Sequence, residues 1–275
     1  MTTHYEITDE TAYLRDELLY IGGQIADMSA EDREEAIKVH RIRATRDLPH
    51  HGVKAGDLGG WIESAENLLG EAWVADNAVI AEEATADDKA LVRDGAIMIG
   101  RAGACGSATV RDNAVLQDDA SAEDQSTVGG GAHLYEQAAG RDHAEIRGWM
   151  YGGMYFGGMH LDDGERVEAY DDWMRIYEGE MQTGSINLRD AAHYELTDGD
   201  NLLDGASVEE LKEQLFFWHD ADWNAVKDEV MESLELDAAD ELDELDEEEL
   251  IVEIAAVLWG VDSSGVELKG YRPRW

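Results

Sequence analysis

The chain of 275 residues has a single cysteine, Cys105. It closes no disulfide within the chain, so no oxidising framework is implied. It lies just after an inward repeat position and reads as a small buried hydrophobe. Basic residues are scarce too: 21 Lys and Arg face 63 Asp and Glu, a formal net charge of −42, and six of the 21 are lysine. Such a surface offers no basic stripe to nucleic acid, and none is expected as a partner. No apolar run reaches the ~18 residues of a membrane span. Met1 is followed by polar residues rather than by a basic–apolar leader, so neither a secretory signal nor a membrane segment is expected. Delivery by lysis or by assembly into a particle stays open.

The acid is spread along the chain: residues 72–149 carry 14 acidic and 6 basic residues, and residues 207–275 carry 21 and 5. A local acidic tail would read as a binding arm. A uniform excess with little lysine reads as adaptation to molar salt. At ~1 M salt the Debye length falls to about 3 Å, which screens carboxylate repulsion; in dilute buffer the same charge pushes a fold apart.

What the chain does have is a strict period of six. Ala72, Ala78, Ala84, Ala90, Ala96, Ala102, Ala108, Ala114, Ala120, Ala132, Ala138 and Ala144 open twelve of thirteen consecutive units, and Ser126 opens the other. Two residues after each stands a mostly aliphatic residue such as Val74, Ile80, Val92, Met98, Val110 or Leu116. The pairs between, such as Asp76-Asn77, Asp94-Gly95 and Asp112-Asn113, suit corners, because Asp, Asn and Gly tolerate left-handed backbone angles. Three strands and three corners make a triangular coil of eighteen residues, and thirteen units make a little over four coils. At ~4.8 Å per stacked strand the column is roughly 20 Å tall. Alanine fits a corner whose inside has room for a methyl group, where larger residues overpack at about 1–3 kcal/mol.

Before the repeats stand Tyr5-Glu6-Ile7-Thr8, Arg41-Ile42-Arg43-Ala44 and Gly56-Asp57-Leu58-Gly59-Gly60-Trp61-Ile62-Glu63. These stretches resemble the opening of a family of hexapeptide-repeat proteins encoded widely in phages, prophages and bacteria, over roughly residues 1–149. The resemblance implies a left-handed parallel β-helix, against the usual right-handed crossover rule, and a homotrimer. It brings no catalytic residue that can be placed on this chain. The chain departs from that pattern by extra residues around Gly22–Lys38 and by everything after residue 150. The fold expected is mainly β: an N-terminal cap region at 1–71, the repeat column at 72–149, a Gly/Met/aromatic β segment at 150–206 and an acidic helical domain at 207–275.

Gly56–Trp61 reads as a turn seating Trp61 over the open first coil, since an uncovered coil exposes unpaired backbone groups. At Gly148 the repeat stops. The glycine-spaced aromatics that follow read as a plug over the last coil, a trimer contact or an exposed patch; Trp149, Tyr151, Tyr155 and Phe156 are the candidate binding residues. Arg166–Tyr170 and Trp173–Tyr177, around Asp171-Asp172, read as a hairpin. Ser207 and Glu210 form a capping box before a helix with Leu211, Leu215 and Trp218 on one face. Trp223, Val226, Val230 and Leu234 continue the helical spacing. Asp237–Glu249 is an acidic linker or helix face, and Leu250–Trp259 is a buried helix stopped by Gly260.

For chemistry, the strongest rival is an acyltransferase with a histidine base from His133, His143 or His160. The thirteen units run without the loop insertion that builds such a cleft, and an acidic surface disfavours coenzyme A. A γ-type carbonic anhydrase needs His-x4-His, whereas His133 and His143 are ten apart; His50-His51 reads as a solvated loop. No catalytic residue, metal or cofactor is expected. The sequence reads as a non-catalytic trimeric structural or attachment protein, virion-associated, of a virus of a halophilic archaeon. Other virion proteins, cell-surface proteins or glycans are the partners considered; the remaining readings are the acyltransferase and an intracellular scaffold in the cytoplasm of a high-salt host.

Overall fold

A computed structural model describes residues 3–170, 173–188, 191–219, 221, 223–234, 236, 242 and 245–272. The chain divides into two compact units, Met1–Leu188 and Arg189–Trp275.

The first unit is a three-sided parallel β-solenoid. Val79 pairs with Ile97, Ile97 with Val115 and Val115 with His133, each step one coil of eighteen residues. Face I carries Val79–Ile80, Ile97–Met98, Val115–Leu116, His133–Tyr135 and Trp149–Tyr151; face II carries Thr85–Ala86, Gly103–Ala104, Ser121–Ala122, Ala139–Gly140 and Met154–Tyr155. Face III carries Trp73–Val74, Leu91–Val92, Thr109–Val110, Thr127–Val128, Glu145–Ile146 and His160–Leu161. All twelve repeat alanines and Ser126 are 0 % exposed, as a corner with room for one methyl group requires. The aliphatic residues two positions on, from Val74 and Ile80 to Leu134 and Ile146, form one continuous core with them.

The corners explain the acid. Asp76, Glu82, Asp88, Asp94, Asp112, Asp118, Asp124, Glu136 and Asp142 all have positive φ, and these nine are most of the 14 acidic residues of the repeat. At seven corners the N–H of the left-handed residue lies outside the strand ladder and is accepted by the carboxylate eighteen residues earlier. Asp112 N–H donates to Asp94 Oδ2 at 3.3 Å, Gly130 N–H to Asp112 Oδ2 at 2.9 Å and Gly100 N–H to Glu82 Oε2 at 2.6 Å. The same bond runs from Asp94 to Asp76, from Gly106 to Asp88, from Glu136 to Asp118 and from Asp142 to Asp124. Much of the repeat's negative charge is therefore placed by backbone geometry, and carboxylates stack at the coil spacing of ~4.8 Å.

The column is longer than the alanine period indicates. Leu58–Ile62 is a strand of the first coil, with Trp61 opposite Val79 and Ile62 opposite Ile80. Trp61 does not sit over an open end, as the sequence reading had it: it lies on the outer side of face I, with the Arg41 guanidinium 5.0 Å from its ring. Gly59 and Gly60 are fixed by contact, since a Cβ on Gly60 would meet Ala78 O at 2.6 Å and one on Gly59 would meet Val74 O at 2.7 Å. Nor does the winding end at Gly148. Met150 pairs beneath Leu134, Tyr155 beneath Gly140 and Leu161 beneath Ile146. The coil shortens because two residues rather than four separate Ile146 from Trp149, and Gly148 takes the alanine position, where a Cβ would lie 2.5 Å from Glu165 O. About six coils result, a column of roughly 29 Å.

Both ends of the core are closed by side chains. Tyr5, Ile42, Ala44, Leu48 and Val53 join it at the start, and Val167, Met174 and Leu188 at the finish. The last three come from strands Glu165–Tyr170 and Trp173–Glu178 and the end of the meander that continues through Met181–Asn187. That meander is the plug; the Trp149–Met159 stretch is a coil. The expected hairpin strands are present, and the turn at Asp171-Asp172 lies outside the described residues.

The extra N-terminal residues have a place of their own. Strands Tyr5–Arg15 and Ile37–Ala44 pair antiparallel, and Ala12, Leu14 and Val39 pack on Trp61, Val79, Ala81, Ile97 and Val115 along the outside of face I. Asp16 and Glu17, with φ of 49° and 59°, make the two-residue turn into Leu18–Tyr20 that suits strand twist. Helix Ala30–Glu35, with a capping box at Ser29, meets the strand through Arg15, which pairs with Asp32 and Glu35. Cys105 is half-buried on an outward position of face II, because it follows inward Ala104; burial pushes its thiol pKa up.

The second unit is α+β rather than purely helical. Strands His193–Thr197, Leu202–Gly205 and Glu267–Tyr271 form an antiparallel sheet that shares a core with helices Val208–Trp218, Trp223–Ser233 and Glu247–Trp259. Ser207 Oγ accepts from Glu210 N–H at 3.1 Å, while the Glu210 carboxylate accepts from Ala206 N–H. Leu211, Leu215 and Val230 are fully buried, but Trp218 is 74 % exposed. Gly260 ends the last helix with φ of 69°. Residues 237–241, 243 and 244 of the acidic run lie outside the described residues. Among the described residues no helix is long and apolar enough to cross a membrane.

Candidate functional site

On each face, the residues before and after the inward one point out. Along face I the first outward column reads Trp61, Val79, Ile97, Val115, His133, Trp149. The N-terminal hairpin, strand Tyr5–Arg15 turning at Asp16-Glu17 and backed by Ile37–Ala44, covers it through Val115. Below that level the column is aromatic, and so is its neighbour, Tyr135 and Tyr151.

These four rings form a two-by-two array. His133 and Trp149 lie 4.7 Å apart, Tyr135 and Tyr151 stack at 4.9 Å with 6° between planes, and His133 Nδ1 is 2.9 Å from the Tyr135 hydroxyl. Trp149 is turned 57° from Tyr135 and 56° from Tyr151 and is 43 % exposed. Burial pushes the Tyr135 phenol pKa up, and the carboxylates of Glu17 at the hairpin tip and Asp118 add to it after Tyr151. In register below Trp149 and Tyr151 come Arg166 and Glu168, whose Nε and Oε1 are 3.2 Å apart. The Arg166 guanidinium also lies 4.8 Å over the Tyr177 ring.

Of the four residues singled out in the sequence, Trp149 and Tyr151 belong to this surface. Tyr155 and Phe156 do not: they are 2 % and 1 % exposed. Tyr155 points inward beneath Gly140, and burial drives its phenol pKa upward. His133 and Tyr135 were missed as members of a binding surface. The signal for them was present at a period of eighteen, in the row Val79, Ile97, Val115, His133.

The remaining histidines are dispersed. His143 is exposed at a corner, where its N–H bonds to Gly157 O. His160 is exposed on face III with Nδ1 3.8 Å from Glu145 Oε2, beyond hydrogen-bond reach. His51 and His4 tie the first coil, with Nε2 atoms at 2.9 Å from Glu71 O and 2.8 Å from Ala72 O; desolvation lowers both pKa values. Among the described residues no group of three or more His, Cys, Asp or Glu is placed to hold a metal ion. An open groove lined by Thr3, Tyr5, Glu6, Ile7, Thr45, Arg46 and Ala65 holds no convergent acid–base set.

The second unit has one cluster that no sequence pattern announced. His193 Nε2 lies 3.6 Å from Asp204 Oδ2 and 4.0 Å from Glu195 Oε1, and the Tyr271 hydroxyl donates to Glu195 Oε2 at 3.2 Å. Searches of protein-family models and of curated proteins return no match to this chain.

Proposed function

We propose that the protein is a non-catalytic structural or attachment component, in which a stiff β-solenoid carries a recognition surface and the acidic α+β unit serves as mount. The observation that carries the reading is the combination of a column sealed at both ends by side chains with a concentrated aromatic array on its outer face. A rung-by-rung hydrogen-bonded column resists local opening, which is what a spacer needs and what a loop-built catalytic cleft does not supply. The resemblance of the N-terminal stretches to phage-borne hexapeptide-repeat proteins supports placement on a virion, with left-handed winding and a trimer. Uniform acid with six lysines supports a halophilic host, although the corner carboxylates have a structural reason of their own.

Mass spectrometry of purified virus particles tests the placement. The chain is expected in the particle fraction at stoichiometric abundance. Its absence from every particle fraction, with abundance in the host cytoplasm, overturns the virion reading and favours a scaffold.

A further inference from the structure

We propose that the aromatic array on face I is a binding site for a neutral saccharide chain; this rests on the reading of the column as a carrier of a recognition surface. Four features point to that ligand. Trp149 is turned out of the stack formed by Tyr135 and Tyr151 and offers a partly exposed ring, and an indole face packs against the C–H face of a pyranose. Donors and acceptors lie beside it in the same sheet: the His133–Tyr135 hydroxyl pair, and Arg166 with Glu168 one rung below. Such pairs suit the edge hydroxyls that remain when a sugar's apolar face is covered.

The array lies along successive rungs of the outer side of face I, which fits several units of an extended chain better than one enclosed small molecule. Finally, a chain of net charge −42 repels polyanions, and the stacked rings turn their faces to one another rather than around a cation. An uncharged polyol with apolar faces meets both conditions. The hairpin covers the row above and ends at Glu17, so the same strip of face I serves intramolecular packing through Val115 and recognition below it.

The test is a printed array of neutral, sialylated and uronic-acid glycans, probed with the full-length protein and with Trp149→Ala, Tyr135→Ala and Trp218→Ala. Retention on neutral glycans is expected, reduced at least tenfold by Trp149→Ala or Tyr135→Ala and unchanged by Trp218→Ala, which alters an exposed indole elsewhere. Thermal unfolding checks that the first two variants keep their fold; if either does not, the other decides. No retention, retention on acidic glycans alone, or equal retention by folded Trp149→Ala and Tyr135→Ala overturns the proposal. So does a fall in sedimentation coefficient in Trp149→Ala without glycan binding by the parent, which assigns the array to contacts between copies. Particle mass spectrometry is independent: a chain absent from particles that still binds neutral glycans through Trp149 loses the virion placement and keeps this site.

Discussion

A single corner aspartate has two effects of opposite sign. Its carboxylate satisfies the N–H of the corner one coil later, as Asp94 does for Asp112 and Asp112 for Gly130, and it stands near the carboxylates above and below. Two such charges repel by about 1 kcal/mol in bulk water, over a Debye length of about 30 Å at ~0.01 M salt and about 3 Å at ~1 M. Asparagine keeps both the left-handed backbone and the acceptor oxygen. The double substitution Asp94→Asn, Asp112→Asn is therefore expected to raise the melting temperature in dilute buffer by about 2–4 °C and to have little effect at ~3 M salt. Equal stabilisation at both salt concentrations would show that charge is not the term involved. His4 and His51 give a second test. Burial lowers both pKa values in the folded state, so their neutral forms favour folding fully above the unfolded pKa of about 6.5. As pH falls below that value the unfolded chain takes up protons first, and stability is lost down to the folded pKa. Stability is expected to decline as pH falls below about 6.5, and His4→Gln with His51→Gln should flatten the decline seen by thermal melts.

At the level of elements, the coil was legible because its constraint is local and repeated. Every repeat alanine is fully buried where a period of six put it inside, and the first residue of each corner pair, as at Asp76, Asp94, Gly106, Asp112 and Gly130, has positive φ. Three things were hidden by the same period. The first coil carries Gly59 and Gly60 rather than alanine, so it reads as a turn. The last coil drops two residues after Ile146 and a third between Met150 and Tyr155, which throws both out of the six-residue frame even though both are inward. The outer strip of face I repeats every eighteen residues and is read only once coils, rather than sixths, are aligned. The sheet in the second unit joins strands as far apart as His193 and Tyr271, a pairing no local pattern encodes. Gly148→Ala tests the shortened coil: its methyl meets the Glu165 carbonyl oxygen, and a loss of about 1–3 kcal/mol is expected in denaturant unfolding. A neutral result would mean that the chain at Gly148 is not packed against Glu165.

For the molecule as a whole, the proposed trimer requires that copies carrying −42 each approach closely, which screening permits. Sedimentation at ~3 M salt is expected to give three times the monomer mass and at ~0.05 M salt a smaller species; a monomer at both would remove the trimer. The column must be one cooperative body from the first coil through Leu161 if Trp149 and Tyr151 are to stand on a rigid face. Hydrogen exchange resolved by residue measures this directly. The amides of Trp61, Val79, Ile97, Val115 and Thr127, and equally those of Ala139, Arg141 and Arg147, which donate to the last coil, are expected to exchange together at the rate of global unfolding. Rapid exchange confined to Ala139–Arg147, with protection kept in the coils before it, would contradict the account: the column would end where the alanines do, and Trp149 and Tyr151 would have no rigid face on which to stand.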